Sequence, residues 1–86
     1  MISSHSTIIV PEIGAERDRV EVGAWLVEVG QNFIEGDRLV ELVLPGVVFH
    51  VAAEESGRIV EMKRHSGTPV AEGELLAIIA SEEQSA

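Results

Sequence analysis

Short runs of hydrophobic residues, broken repeatedly by glycine or proline, cover most of the chain. The clearest run lies in residues 20–29, where apolar side chains recur at every second position from Val20 to Leu26, as in a strand with one buried face. The same pattern predicts strands at Thr7–Pro11, Phe33–Ile34, Asp37–Leu44, Val47–Val51, Gly57–Arg64, Pro69–Val70 and Glu74–Ala80. Glycine recurs too often for a helix to be predicted. The pattern therefore indicates an all-β protein.

The second half of the chain repeats the first at an offset of 37 residues, the separation of Gly30 from Gly67. Two copies are too few for a solenoid, so we expect two similar halves closing on one core. The repeat also aligns Trp25 with Met62, and we predict that both lie in the interior as a symmetric pair. Other matching positions are Glu35 and Glu72, Gly36 and Gly73, and Leu39 and Leu76.

Composition narrows the classes of function. The sequence has no cysteine, which excludes disulfides, thiolate catalysis and zinc–thiolate sites. A net charge of −9 argues against nucleic acid and against anionic membrane as partners. No apolar run reaches the length that crosses a membrane, and the run at residues 8–10 is too short for the core of a signal peptide, so we expect a cytoplasmic protein.

The chain is short enough for one domain of 86 residues. We expect this domain to occupy residues 7–80, with polar, flexible tails at 1–6 and 81–86. Met1 and the polar end at Ala86 indicate an independent small protein, and we expect it to be a monomer.

The segment ELVLPGVVFHV, residues 41–51, reads as two strands that meet at Pro45–Gly46. Proline presets φ at the first corner of a turn and glycine accepts a positive φ at the second, as a type II turn requires. Because such a turn twists poorly against a two-residue hairpin, we expect splaying at Leu44 and Val47 or an opened turn.

No constellation of residues indicates catalysis or metal binding. The histidines lack the spacing of a metal site, and His50 is predicted opposite Glu41 as a cross-strand polar pair. His5 lies in the predicted tail and His65 in a turn. A chain of this size has little room for a catalytic cleft, and no nucleophile elbow or phosphate loop is present, so we expect no enzymatic activity.

Four segments in order resemble the lipoyl domain of 2-oxo acid dehydrogenase complexes and the biotinyl carrier domains that share its fold. They are IIVPEIG at 8–14, WLVEVGQNFIEGDRLVEL at 25–42, SGRIVEM at 56–62 and GTPVAEGELLAII at 67–79. The resemblance implies a barrel-sandwich hybrid, which is a flattened β-barrel of two four-stranded antiparallel sheets with quasi-twofold symmetry.

The resemblance also implies a site at the hairpin tip, where the family carries lipoate or biotin on a lysine. Here Pro45 takes the place of the usual aspartate and Gly46 the place of that lysine, so we expect no cofactor at this degenerate attachment position. Leu44, Val47 and Phe49 are candidate partner contacts. The family's recognition loop beside the lysine corresponds to residues 14–22, which adds Glu16 and Arg17 as candidate contacts.

The resemblance leaves two functions open. The first is a docking or structural module, not an enzyme, that associates with components of a 2-oxo acid dehydrogenase or of a related acyl-transfer or carboxylase assembly. The alternative is a genuine lipoyl or biotinyl carrier subunit, of the dihydrolipoamide acyltransferase type, with the cofactor on Lys63 or with the chain derived from an active form. Lys63 is the only lysine, and we expect it to be an unmodified, solvated lysine on an edge strand.

Overall fold

The computed structural model describes residues 4–13 and 20–81 of the chain. These residues contain strands and no helix, and therefore no helix that could span a membrane. The strands are β1 (Ser4–Ile9), β2 (Val20–Trp25), β3 (Asn32–Phe33), β4 (Arg38–Leu44), β5 (Val47–Ala52), β6 (Gly57–Met62), β7 (Pro69–Val70) and β8 (Leu75–Ser81).

The strands form two four-stranded sheets in which every pairing is antiparallel. One sheet has the order β1-β8-β6-β3 and the other has the order β5-β4-β2-β7. Each two-residue strand, β3 or β7, closes one edge of its sheet, and each six-residue strand, β1 or β5, forms the other edge. The predicted all-β fold with two four-stranded antiparallel sheets is confirmed.

Equivalent turns in the two halves follow the repeat in the sequence. The Gly30 amide donates to the Ile59 carbonyl at 2.8 Å, and the Gly67 amide donates to the Val22 carbonyl at 2.8 Å. Both glycines have positive φ, 92° and 89°. In the next turn of each half, a carboxylate accepts a hydrogen bond from the amide three residues before it, as Asp37 and Glu74 do. The same turn residues therefore give the backbone the same course in both halves, as the 37-residue offset predicted.

The core lies between the sheets and takes side chains from both halves. Its largest fully buried members are Leu39, Leu42, Ile59 and Leu76, with Val10, Val22 and Val40. No polar or charged side chain is buried among the described residues. Burial of aliphatic surface, at about 25 cal/mol per Å², is thus the main source of stability.

The ends of several strands differ from the prediction. Strand β1 begins at Ser4 and β8 ends at Ser81, because their backbones pair as far as Ser4–Ser81. Residues 4–6 and 81, which the sequence placed in flexible tails, therefore lie in strands, while residues 1–3 and 82–86 lie outside the described residues. Strand β2 ends at Trp25 instead of Val29, since the chain turns before Gly30.

The predicted interior pair of Trp25 and Met62 is wrong. Both side chains are half-buried. The indole Nε1–H of Trp25 donates to the Arg64 carbonyl at 2.8 Å, a partner that a purely aliphatic interior does not offer. Trp25 therefore packs on the border of the core, with its polar edge turned toward the chain that follows β6.

Candidate functional site

The hairpin of β4 and β5 brings Pro45 and Gly46 to its apex. The two strands pair residue by residue from Val40–Val51 to Leu44–Val47, which leaves only these two residues in the connection. Gly46 has φ 78°, the value that the second corner of a type II turn requires. The predicted splaying or opened turn is wrong, since the pairing continues to Leu44 and Val47.

The apex has space for a side chain but carries no reactive group. A Cβ built on Gly46 meets no atom within 4 Å. Acylation of a protein by a carboxylic acid cofactor to form an amide requires a primary amine, and neither Pro45 nor Gly46 has one. The residues at the tip therefore do not fit a covalently attached lipoyl or biotinyl group.

Apolar side chains surround this apex on both faces of the hairpin. On the outer face, Val43 and Val48 are paired across the strands and are 37% and 53% exposed. On the inner face, Val47 and Phe49 are paired across the strands with Leu44 and Leu42 and are 52% and 37% exposed. We call Val43, Leu44, Val47, Val48 and Phe49 the hairpin patch. It includes all three hairpin residues predicted as partner contacts.

Glu41 and His50 lie on the outer face, behind the hairpin patch. They are directly opposite each other in the strand register, and Nε2 of His50 lies 3.5 Å from Oε2 of Glu41. The predicted cross-strand polar pair is confirmed. Both side chains remain about a third exposed, so the pair lies beside the hairpin patch and does not cover it.

Lys63 lies away from the hairpin tip. It follows the last residue of β6, and its amide donates to the Leu76 carbonyl at 2.8 Å. Its Nζ lies 3.0 Å from Oε2 of Glu61. The interpretation of Lys63 as an edge-strand residue is wrong, because Lys63 lies one residue beyond the end of β6. The only amine of a lysine in this chain is thus half-buried and ion-paired after the end of that strand.

The structure does not bring the remaining candidate residues together. Glu16 and Arg17 lie outside the described residues. Among residues 4–13 and 20–81, no group of histidine, aspartate and glutamate side chains has the arrangement of a metal site. His5, His50 and His65 are all exposed, and His50 has a carboxylate neighbour.

A cleft of about 370 Å³ lies between β1 and β5, which are the long edge strands of the two sheets. Its apolar lining includes Ile8, Phe33 and Val51, and Glu54 and Glu55 also line it. Oε2 of Glu55 accepts a hydrogen bond from the Ser6 hydroxyl at 3.0 Å. No pattern in the sequence indicates this cleft, because its walls come from strands far apart in the chain.

Comparison with known proteins gives the same family as the sequence motifs. Residues 6–79 match Biotin_lipoyl, a family described as "Biotin-requiring enzyme". The chain is also similar to two proteins described as the dihydrolipoyllysine-residue succinyltransferase component of the 2-oxoglutarate dehydrogenase complex. In Staphylococcus saprophyticus the identity is 30% over 70 residues, 81% of this chain and 16% of that protein. In Bacillus subtilis it is 33% over 73 residues, 85% of this chain and 18% of that protein. The chain thus spans less than a fifth of either relative.

Proposed function

Because this chain belongs to the family of biotinyl- and lipoyl-attachment domains, we propose that it is a member without a cofactor at the hairpin tip. It acts as a docking or structural module and catalyses no reaction itself. The proposal places it in the cytoplasm, as a monomer that contacts components of a 2-oxo acid dehydrogenase or of a related acyl-transfer or carboxylase assembly.

One observation carries the proposal, namely the residue at the apex of the β4–β5 hairpin. The pairing of β4 and β5 is regular from Val40–Val51 to Leu44–Val47, so Pro45 and Gly46 form the apex. By the resemblance, Gly46 stands where the family holds its acceptor lysine. A glycine at this position removes the amine and leaves the turn that would present it.

The hairpin patch supports a docking role. A carrier tip that delivers its group to an active site needs a reactive arm, whereas a docking tip needs apolar surface that a partner can cover. Val47 and Val48 are more than half exposed beside the apex. An exposed cluster of large apolar side chains at one end of a small domain is typical of an interaction site.

The relatives support the class of partner. Both are named as components of a 2-oxoglutarate dehydrogenase complex. Their similarity to this chain covers only a small part of their length, so their succinyltransferase activity carries over to nothing in this domain. We therefore propose association with an assembly of this type and no transferase chemistry.

Intact mass spectrometry of the protein isolated from its native host tests the proposal. We expect the mass of the bare chain. An added lipoyl or biotinyl group would overturn the proposal. Peptide mapping would then show whether the group lies on Lys63, as the carrier alternative requires.

A second experiment tests whether the apex is the attachment position. We expect the variant Gly46→Lys to be acylated in vitro by a lipoyl or biotinyl ligase. The matched control is Gly36→Lys, which puts a lysine on another turn glycine with positive φ, 93°, and open space around its Cβ. Equal acylation of both variants, or of neither, would contradict the assignment of Gly46 to the attachment position.

A further inference from the structure

The free edge of β5 lacks the features that normally protect the edge of a sheet. Strand β5 hydrogen-bonds only with β4, and no other backbone bond among the described residues involves residues 47–52. Five of its six side chains are apolar, and the sixth is His50. The strand contains no proline, lysine or carboxylate. Edge strands of soluble proteins usually carry such residues because an unprotected edge accepts another strand.

The other edges are shorter or more polar. Strands β3 and β7 have two residues each. Strand β1 is as long as β5, but His5, Ser6 and Thr7 replace its apolar residues. An added strand would therefore bury more apolar surface on β5 than on any other described edge.

Backbone groups of β5 are available for pairing at alternate residues. Leu44 and Val47 close a two-residue hairpin, and such a closing pair is hydrogen-bonded. In an antiparallel ladder, hydrogen-bonded and non-hydrogen-bonded pairs alternate. Val48 and His50 therefore belong to non-hydrogen-bonded pairs, and their N–H and C=O groups point toward the free edge.

The cleft between β1 and β5 lies beside this edge. Side chains of a strand alternate between the two faces of its sheet, so every second side chain of an added strand would point inward. Toward the end of β5, these inward positions lie next to Val51 and the apolar lining of the cleft, which includes Ile8 and Phe33. The cleft thus offers a pocket for an apolar side chain of the added strand.

The charges around the edge favour a basic partner. Glu54 lines the cleft and is exposed, and Glu41 lies on the outer face beside His50. Arg38, at the start of β4, pairs with Ala52 at the far end of the strand. The whole chain has a net charge of −9. A positively charged segment is therefore attracted to this surface, whereas a second copy of the chain is repelled.

We propose that the free edge of β5 binds an extended peptide segment with alternating apolar and basic residues, which adds a fifth strand to the β5-β4-β2-β7 sheet. Main-chain hydrogen bonds to Val48 and His50 supply the pairing, and the cleft selects an apolar side chain. This binding site specifies the docking role and rests on the proposed function. Peptide binding does not depend on whether a cofactor is attached at Pro45–Gly46. The mass of the native protein and the binding of a peptide therefore test different claims.

The test is an NMR titration of the ¹⁵N-labelled chain with a synthetic peptide of alternating lysine and valine. A peptide of the same composition with the valines in one block is the control. We expect the alternating peptide to shift and protect the amides of Val48 and His50, and to bind more weakly as salt is added. Equal binding of the two peptides, or shifts confined to β1, would overturn the proposal.

Matched substitutions on the two edges locate the site. His50→Pro removes one N–H from the β5 edge, and we expect it to weaken binding about tenfold, the effect of one or two lost hydrogen bonds. His50→Ala retains that N–H and should bind as the unmodified chain does. His5→Pro removes an N–H from the edge of β1 at a residue that does not line the cleft, and it should leave binding within about twofold. Loss of binding in His5→Pro with retention in His50→Pro would assign the peptide to β1.

A second pair of variants keeps the proposal testable if His50→Pro does not fold. Val48→Lys puts a positive charge on the exposed outer face of β5, and His5→Lys puts one at the equivalent position of β1. We expect only Val48→Lys to weaken binding of the alternating peptide, about tenfold. If sedimentation shows instead that the chain alone forms a dimer that strengthens with salt and is lost in Val48→Lys, the edge serves a second copy and the proposal is wrong.

Discussion

Strands β4 and β5 pair in the same way as strands β8 and β1. Leu44–Val47 in the hairpin corresponds to Ser81–Ser4, and Leu42–Phe49 corresponds to Ile79–Ser6. Both ladders also shift register near their other end, before Ala52 in β5 and before Ile9 in β1. The two regions thus share one backbone plan, down to the position of an irregularity.

The two regions differ in the residues that their edge strands carry. Strand β5 carries Val48 and Phe49, whereas the equivalent residues of β1 are His5 and Ser6. The buried positions remain apolar in both, as Leu42 and Ile79 show. Buried positions therefore preserve the repeat, whereas the exposed positions of the two pairs carry different residues.

The largest expected effect tests whether the two halves contribute equally to the core. Leu39 and Leu76 are equivalent leucines that are 1% and 0% exposed. We expect Leu39→Ala and Leu76→Ala each to lower the free energy of unfolding by about 2–5 kcal/mol, through lost burial and a cavity. Urea denaturation measures both. A difference of more than about 2 kcal/mol between them would show that one half dominates the core.

A smaller loss of stability is expected at Gly57, where the residues of the two halves differ because one position has no room for a side chain. Gly57 begins β6, and Val20 takes the equivalent place in β2. A Cβ on Gly57 would lie 2.6 Å from the Ala80 carbonyl oxygen, a backbone atom that cannot move freely.

We therefore expect Gly57→Ala to destabilise the fold by about 1–3 kcal/mol, the usual range for overpacking. Thermal unfolding followed by circular dichroism measures the loss. Gly36→Ala is the comparison for backbone strain without a clash, since Gly36 has φ 93° while its Cβ meets open space, and we expect it to cost about 1 kcal/mol. A Gly57→Ala variant that is more stable than the unmodified chain would contradict this prediction, because it would show that the backbone at Ala80 moves away without loss of stability.

Exchanging the surfaces of the two regions should produce a moderate effect. Phe49→Ser removes a side chain that is 37% exposed and lies outside the core cluster, so we expect a loss of about 1–2 kcal/mol and a folded domain. Binding of a fluorescent hydrophobic probe should fall, because the hairpin patch loses its largest member.

The reciprocal variant Ser6→Phe should raise binding of the probe by building an apolar surface on β1. It also removes the hydrogen bond from the Ser6 hydroxyl to Glu55. Unfolding of Phe49→Ser would assign Phe49 to the core and remove it from the patch.

The smallest expected effect concerns the apex. Gly46→Ala adds a methyl group into open space but forces a non-glycine residue to adopt φ 78°. The left-handed conformation costs about 1 kcal/mol, so we expect a small fall in the melting temperature, about 4–8 °C for a domain of this size. A loss greater than about 3 kcal/mol would indicate a contact at the apex that the structure does not show.

Much of the fold follows from local features of the sequence. Glycines at 30, 36, 67 and 73 recur where the backbone needs positive φ, and a repeat of such turns predicts the symmetric frame. The apex was also predictable, since Pro45–Gly46 is a turn dipeptide between two apolar runs. The opposition of Glu41 and His50 then follows by counting residues from the turn.

Features that depend on packing between distant strands were not predictable in the same way. The position of Trp25 on the border of the core depends on a carbonyl acceptor that the chain supplies at Arg64. The paired backbones of Ser4 and Ser81 gave no apolar signal, because a ladder at the edge of a sheet needs no hydrophobic side chains. The cleft beside β5 arises only once the two sheets are stacked.

The pairing of Ser4 with Ser81 has a consequence for chain topology. Backbone ends that are neighbours in a ladder can be joined by a short turn, as Leu44 and Val47 are joined by Pro45–Gly46. A circular permutant that links residue 81 to residue 4 and opens the chain between 45 and 46 would keep every strand pairing. Its new termini would lie where the hairpin apex is now, and its new loop where the ends of β8 and β1 meet.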